Sequence, residues 1–201
     1  MLRVKRTVQP TVEPITVAEA MVHCRIDSNT EEDFLSALIS AAREWCEDAT
    51  ASTIASTTWA LSLDEFPCYS DALRGSDQYR ILVPRPPVQS VSSIAYIDTD
   101  GASQTLSTDV YAVDTSSPYE CRVTLKYGQS WPSTQNVANA VTVTYVAGYQ
   151  LPGDVPPRVR HALKLLVGHW YENREAVGTV GKEIELTVNA LLGLGDMSTV
   201  G

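Results

Sequence analysis

Few residues of this 201-residue chain have the types and spacing that metal binding requires. It has three histidines, His23, His161 and His169. The last two are eight residues apart, about two turns of a helix, which is too far for both to bind one metal ion without help. A histidine beside an apolar helix face is more often a structural residue. The sequence therefore predicts no metal site.

Catalytic and nucleotide-binding motifs are equally sparse. The glycines fit neither a phosphate-binding loop nor a dinucleotide-binding turn, and no GxSxG nucleophile elbow occurs. A Ser-His-Asp site stays open, since its members meet only in the fold. Neighbouring acids such as Glu31 and Glu32, or Glu47 and Asp48, are more typical of a solvated helix face than of a hydrolase. We expect no enzyme activity, no catalytic residue and no cofactor.

The charge and the cysteines narrow the function classes further. A net charge of -9 argues against a surface that grips nucleic acid, but it suits a surface that DNA passes without sticking. The four cysteines are far apart and form no CxxC pair, so we expect reduced, mostly buried thiols: Cys24, Cys46, Cys68 and Cys121.

The composition, with 44% apolar residues, is that of a globular protein, and no apolar run approaches the ~20 residues of a membrane span. The basic start of the chain has no apolar segment behind it, so it is not a secretory signal. We expect the protein to stay in the compartment where it is made.

Two helices are predicted near the start of the chain. Thr16 and Glu19 have the spacing of a capping box, which opens a short helix over 16–23. A second helix, over 31–49, has an apolar arc opposite an acidic arc that contains Asp33, Glu44, Glu47 and Asp48. The acids have two interpretations: they keep the protein soluble, or they face a channel or a basic partner.

A longer helix is predicted over 155–174, with Asp154 as its cap and Pro156-Pro157 in its first turn. Its wide apolar face leaves Leu165 pointing elsewhere. Gly168 costs about 1 kcal/mol against Ala inside a helix, which favours close approach of another backbone. The helix is thus either packed on more than one side or an ordinary core helix. The basic residues that are candidate partners of the acidic arc are Arg158, Arg160 and Lys164.

The middle of the chain alternates in polarity and predicts short strands, and 99–102 has the composition of a hairpin turn. The expected strands are 57–66, 79–83, 88–98, 104–106, 110–114, 121–125 and 140–146. Residues 1–14 are an expected extended arm, 184–192 a fourth helix and 193–201 a flexible tail. The prediction is an α+β fold: a small helical bundle, one domain over 15–192, with an inserted antiparallel β-rich region over about 57–147.

Five segments, in this order, resemble the head–tail connector (adaptor) proteins of tailed bacteriophages. They are PITVAEA (14–20) with HCRID (23–27), AAREWCE (41–47), PRPPVQSV (84–91), YVAGY (145–149), and VPP (155–157) through GHWYENREA (168–176). The least typical parts are the polar loop 68–78 and the tail after Leu192.

This resemblance implies a structural protein of the virion neck, assembled in the host cytoplasm. Adaptor subunits form a ring, usually of twelve, beneath the portal protein. The ring extends the channel through which double-stranded DNA passes without specific binding, and it contacts the next connector, stopper or tail protein; no membrane is involved. The alternatives are another tail-side ring component, such as a stopper or tail-completion protein, and last a carboxylate-based hydrolase. A predominantly β fold would favour the stopper.

The resemblance also suggests roles for three groups of residues. The first group faces the channel: Asp33, Glu44, Glu47 and Asp48. The second forms the subunit interface: Arg158, Arg160, Lys164 and Leu165. The third docks on the portal: Leu191, Leu192, Leu194 and Met197. Because rings of identical subunits join two different patches, we expect the long helix to meet the acidic helix of its own or a neighbouring subunit.

Overall fold

The computed structural model describes residues 3–67, 80–174 and 182–193, and within them it confirms the α+β fold. These residues form four α-helices and two antiparallel sheets, of five and three strands. The chain divides into two compact units. The β unit comprises residues 1–11 and 56–148, and the helical unit comprises 12–55 and 149–201.

Eight strands make up the two sheets of the β unit. They are β1 (Arg3–Val8), β2 (Thr57–Leu63), β3 (Arg80–Val83), β4 (Val88–Ile97), β5 (Ser103–Thr105), β6 (Tyr111–Asp114), β7 (Cys121–Leu125) and β8 (Val141–Ala147). The larger sheet has the order β1-β2-β8-β4-β5 and the smaller one β3-β7-β6. Strand β8 shows why these sequences form sheets: its alternate residues Val141, Val143, Tyr145 and Ala147 are buried.

The hairpin between β4 and β5 occurs where its turn residues predicted it. The Asp98 carboxylate accepts hydrogen bonds from the backbone N–H groups of Asp100 (3.0 Å) and Ala102 (2.8 Å). Gly101 has a φ of +84°, which glycine adopts without steric cost. The turn is therefore specified by local chemistry.

Part of the predicted N-terminal arm belongs to the larger sheet. Residues 3–8 are extended, as expected, and they pair with β2 as its antiparallel neighbour at the sheet edge. The Thr7 hydroxyl donates to the Thr58 carbonyl at 3.1 Å, and the Thr57 hydroxyl donates to the Val8 carbonyl. Strand β1 has no fully buried residue, so its sequence lacks the apolar alternation that identifies a strand.

The helical unit contains α1 (Val17–Cys24), α2 (Glu32–Thr50), α3 (Pro157–Glu172) and α4 (Lys182–Leu192), each within about two residues of its predicted range. The capping box of α1 is confirmed. The Thr16 hydroxyl accepts from the Glu19 N–H at 3.1 Å, and the Glu19 carboxylate accepts from the Thr16 N–H at 3.0 Å. The core of this unit includes Leu35, Leu38, Ile39, Leu163, Leu166 and Trp170.

The predicted cap of α3 is wrong. The N-cap position is Pro156, and no side chain makes a capping hydrogen bond there. Asp154 instead closes the preceding 3-10 turn, where its carboxylate accepts from the Leu151 N–H at 3.2 Å. Two residues separate Asp154 from the first helical residue, Pro157, so its carboxylate does not serve as the cap.

A buried ionic network lies on α2 and corrects the predicted acidic arc. Glu47 is only 1% exposed, and one carboxylate oxygen accepts from Arg43 at 3.0 Å. Its other oxygen accepts from the backbone N–H groups of Ile54 (2.8 Å) and Ala55 (3.3 Å). Arg43 also donates to Glu13 at 2.8 Å. Glu47 therefore does not lie on a solvated face, because segments before and after α2 cover that side of the helix.

Glu47→Ala should lower the free energy of unfolding of the protein by about 3–5 kcal/mol, because it leaves a buried guanidinium partly unpaired and two buried N–H groups without an acceptor. Urea denaturation followed by circular dichroism measures the loss. Glu44→Ala, one turn away on the exposed side of α2, is the matched control and should cost less than about 1 kcal/mol. Equal losses in the two variants would contradict the network's importance.

Candidate assembly surfaces

The residues that the sequence singles out for function lie in the helical unit wherever the structure describes them. Among the described residues, no group of three or more His, Cys, Asp and Glu side chains is arranged to hold a metal ion. No described helix has both the length and the apolarity that crossing a membrane requires. The candidate sites are therefore surfaces for contact with other molecules: an acidic one, a groove and an apolar helix face.

Three of the four predicted channel-facing acids are exposed on α2. Asp33, Glu44 and Asp48 are separated by 11 and 4 residues, which places them on one side of the helix. We call these three residues the acidic strip, and it extends over about 22 Å of helix. Glu44 approaches the edge of the Arg43 guanidinium at 3.6 Å, yet its side chain stays 54% exposed. The strip thus presents exposed carboxylates near both ends of α2, with no acidic residue between Asp33 and Glu44.

Two of the predicted basic interface residues are engaged within the helical unit. Arg160 donates to a carboxylate oxygen of Glu19, and Lys164 donates to the same oxygen at 3.2 Å. These contacts tie α3 to α1, so within one subunit Glu19, not the acidic strip, neutralises both cations. Arg158 is exposed at the start of α3. The sequence missed Glu19 as the partner because the pairing spans more than 140 residues.

The electrostatics of Glu19 reflect these contacts. The backbone hydrogen bond from Thr16 is the largest cause that lowers its pKa from the ordinary value of 4.5, and Lys164 and Arg160 lower the pKa further. The carboxylate thus caps α1 with one oxygen and holds α3 with the other.

The remaining face of α3 lines a groove of about 390 Å³, which we call the α1–α3 groove. Leu165, the fourth predicted interface residue, contributes to it together with Gly168, and its walls include His23, Cys24, Arg25 and Ile184. A Cβ at Gly168 would lie 3.3 Å from the His23 ring. The glycine thus accommodates an imidazole, and the prediction that it admits another backbone was wrong.

The charges around the groove are unevenly distributed. Arg25 is exposed at the end of α1, where its φ of 56° terminates the helix. Burial first, and then the charges of His161 and Lys164, lower the pKa of His23. Burial first and the charge of Glu172 raise the pKa of the Cys24 thiol. A lowered pKa favours the neutral form of the His23 ring, so the charges in the groove lining are the positive Arg25 on the α1 side and the negative Glu172 on the α3 side.

Helix α4 packs one apolar side against the helical unit and carries an exposed leucine, Leu186, among polar residues on its other side. Val188 is fully buried, and Ile184, Leu191 and Leu192 pack against the core of the helical unit. Leu191 and Leu192, two of the predicted portal-docking residues, are therefore partly buried. The other two, Leu194 and Met197, lie outside the described residues. Leu186 faces outward and is 70% exposed.

A second polar cluster joins the end of α3 to the beginning of α2. The Tyr171 hydroxyl donates to Glu31, and Arg174 donates to the other oxygen of Glu31 at 2.6 Å. The Arg174 guanidinium also lies 5.0 Å from the ring centroid of Phe34. Glu31, the acid at the start of the predicted helix, thus pairs with Tyr171 and Arg174 and does not lie on a purely solvated face.

The aromatic residues of the β unit serve its core. Phe66 stacks on Trp131 with ring centroids 4.9 Å apart, which is a favourable aromatic arrangement. Trp59 is contacted by the guanidinium groups of Arg6 and Arg85, each within 5 Å of its ring centroid. Trp59 thus belongs to the core of the β unit, and Trp131 packs against that core.

Glu19→Gln should reduce the free energy of unfolding by about 1 kcal/mol at neutral pH, because the charged hydrogen bonds to α1 and α3 are weakened. Because the pKa of Glu19 in the folded protein lies below the ordinary value of 4.5, its charged carboxylate stabilises the fold above about pH 4.5. This contribution is lost as the pH falls through the folded-state pKa. The difference between the two proteins in urea denaturation should therefore shrink below about pH 4.5. Glu65→Gln, at an exposed position, is the control; a difference that stays constant with pH would refute the charge contribution.

The fold is similar to chains of three solved gene transfer agent (GTA) assemblies. The match to the neck of an empty GTA particle computed with C6 symmetry has a TM-score of 0.76 at 19% identity, over 96% of this chain and 94% of that chain. The match to the virion of a native GTA particle has a TM-score of 0.74 at 19% identity, over 95% of this chain and 93% of that chain. The match to the neck of a native GTA particle computed with C12 symmetry has a TM-score of 0.65 at 21% identity, over 96% of this chain and 93% of that chain.

No protein-family model and no curated protein sequence matches the chain. At 19–21% identity, the three matches establish a shared fold that extends over nearly the whole of both chains. The chain is thus structurally similar to neck proteins of phage-like particles.

Proposed function

We propose that this chain is a structural head–tail connector, an adaptor, of a tailed phage or phage-like particle. The observation that carries the proposal is the similarity to GTA neck chains, which covers the helical and β units together. The five sequence segments that resemble phage adaptors support it independently. The proposed role is structural rather than enzymatic, it uses no cofactor, and its location is the neck of the virion.

The proposed assembly is a ring of identical subunits, with twelve copies. The C6 and C12 symmetries with which the similar necks were computed support a closed ring. A ring joins each subunit to the next through two different patches, so a subunit must carry a pair of complementary surfaces. The ring lies beneath the portal protein and presents its other side to the next connector or tail protein.

The acidic strip of Asp33, Glu44 and Asp48 is the surface we assign to the DNA channel. Double-stranded DNA carries one negative charge per about 1.7 Å, so a negative wall repels the phosphates and prevents the duplex from sticking. Glu47 has no part in this surface because it is buried. The duplex passes without specific binding.

A second candidate is another ring component on the tail side of the neck, such as a stopper or tail-completion protein. It would share the same ring assembly. The four helices and the helical core favour the adaptor, since a predominantly β fold is the expectation for a stopper. The tail-side candidate is therefore second.

Cryo-electron microscopy of tail-less, DNA-filled heads, with and without the purified protein, tests the adaptor role. We expect an added symmetric ring at the portal vertex, with Asp33, Glu44 and Asp48 towards the channel. A ring that forms with these acids facing away would overturn the channel assignment alone. No added density on heads that are competent for tail joining would refute the adaptor role and favour the tail-side component.

Removal of residues 194–201 should abolish attachment to the portal while leaving the helical unit folded, because it removes Leu194 and Met197 but retains Leu191 and Leu192 in the core. Co-sedimentation of the truncated protein with tail-less heads measures attachment, and thermal unfolding checks the fold. A matched full-length variant, Leu194→Ser with Met197→Ser, should show the same loss. Normal attachment of both variants would eliminate the tail as the portal anchor.

A further inference from the structure

A pocket in the β unit combines aromatic rings with polar side chains. It has a volume of about 450 Å³, within the range of protein ligand sites, and we call it the β pocket. The stacked rings of Phe66 and Trp131 line it together with Pro67 and Pro132. None of these residues belongs to the surfaces assigned to the channel, the portal or the subunit interface. The β pocket is therefore a separate candidate binding site.

The aromatic rings of the β pocket are held by the core of the β unit. Phe66 is only 5% exposed, and its ring meets the Tyr96 ring edge-on with centroids 5.7 Å apart. Trp131 stacks on Phe66 with the two ring planes 6° apart, and it stays partly exposed. Because Phe66 covers one face of the indole, a ligand meets the remainder of a ring that is already fixed in place. Such preorganisation lowers the entropy cost of binding.

The charge of the β pocket comes from one carboxylate. Among the described residues that line the pocket, Glu65 alone is charged. Its side chain is exposed, and within the described part of the chain it forms no hydrogen bond or ion pair. Lys126, which begins the loop that contains Trp131, donates instead to the Thr108 carbonyl at 2.9 Å. An acid and an aromatic ring in one pocket favour a positively charged ligand.

The polar part of the lining offers further hydrogen-bond acceptors. Over residues 3–67, 80–174 and 182–193, the amide and hydroxyl side chains that line the pocket form no hydrogen bond. These side chains are Gln129, Ser130, Ser133 and Thr134. Their oxygen atoms are thus available to a ligand that carries several N–H groups.

We propose that the β pocket binds an arginine side chain of an adjoining neck protein. This inference rests on the proposed function for the identity of the partner, whereas the lining of the pocket selects the arginine. A guanidinium group stacks on aromatic rings and pairs with a carboxylate through two parallel N–H groups, which an ammonium group does not do. Trp131 provides the ring, Glu65 the carboxylate, and the amide and hydroxyl oxygens accept from the remaining N–H groups.

Titration of the full chain with the peptide acetyl-Gly-Arg-Gly-amide tests the site. The chain has four tryptophans, so the indole N–H signals of ¹⁵N-labelled protein are few, and Trp131→Phe assigns the one that matters. We expect a saturable shift of the Trp131 signal. The same peptide with citrulline in place of arginine keeps the shape without the charge, and it should bind at least about tenfold more weakly.

Glu65→Gln should weaken binding of the arginine peptide at least about tenfold, because it removes the charge and keeps the shape of the side chain. Asp100→Asn is the matched control, since Asp100 is an exposed acid of the β unit outside the pocket, and it should leave the affinity unchanged. Thermal unfolding checks that both variants are folded. Equal affinity in the two variants, or for the arginine and citrulline peptides, would overturn the proposal.

The chain's own Arg74, which follows Pro67 outside the described residues, is the competing occupant. If Arg74→Gln shifts the Trp131 signal without peptide and strengthens peptide binding, the pocket holds Arg74 and the assignment to a partner is overturned. An unchanged Trp131 signal and an unchanged peptide affinity support the partner.

Reconstitution of tailed particles from heads, tails and the purified protein separates this inference from the proposed function. Glu65→Arg places a like charge beside the incoming arginine and should lower the yield of tailed particles at least about tenfold, whereas Asp100→Arg should not. Normal yields with Glu65→Arg overturn the partner assignment and leave the adaptor role intact. Absence of rings of the unmodified protein, in solution and on tail-less heads, overturns the proposed function, and binding of the arginine peptide to the free chain still supports the site.

Discussion

The buried ion pair of Arg43 and Glu47 is the interaction on which the helical unit depends. The chain passes between the two units after residues 11, 55 and 148. Arg43 holds Glu13 near the first passage, and Glu47 holds the backbone of Ile54 and Ala55 at the second. The N–H of Tyr149, at the third, donates to the Ile54 carbonyl at 2.9 Å. Because a buried charge is costly unless it is fully paired, the network specifies where the first two segments meet α2, and the third segment is bound to the second through Ile54.

Much of the fold was predictable because it depends on local chemistry. The helices follow from the capping box of Thr16 and Glu19 and from apolar residues at helical spacing, and the β4–β5 hairpin follows from its turn residues. The sequence predictions are wrong where contacts with other segments of the chain determine what a side chain does. Glu47 is acidic and off the main apolar stripe, yet returning chain covers it. Asp154 is a good capping residue, yet a preceding turn uses its carboxylate.

The candidate surfaces were less predictable for the same reason. The sequence shows that Arg160 and Lys164 are neighbours on a helix, but it does not show which acid they meet, since Glu19 is more than 140 residues away. It indicates that Gly168 admits something close, but not that the group is the ring of His23. Nor does it show that Ile184 and Val188 lie on the covered side of α4 while Leu186 is exposed.

The position of β8 has a consequence for the order in which the molecule can be completed during synthesis. It is the last strand along the chain, yet it lies between β2 and β4 at the centre of the larger sheet. Strands β1 and β2 therefore cannot join β4 and β5 in that sheet until residue 147 has been made, and α3 follows only afterwards. Such late, non-local pairing slows folding and leaves strand edges exposed for longer. The emerging chain thus needs the segments after residue 140 before either unit is whole, which delays the appearance of assembly-competent subunits until those segments have been made.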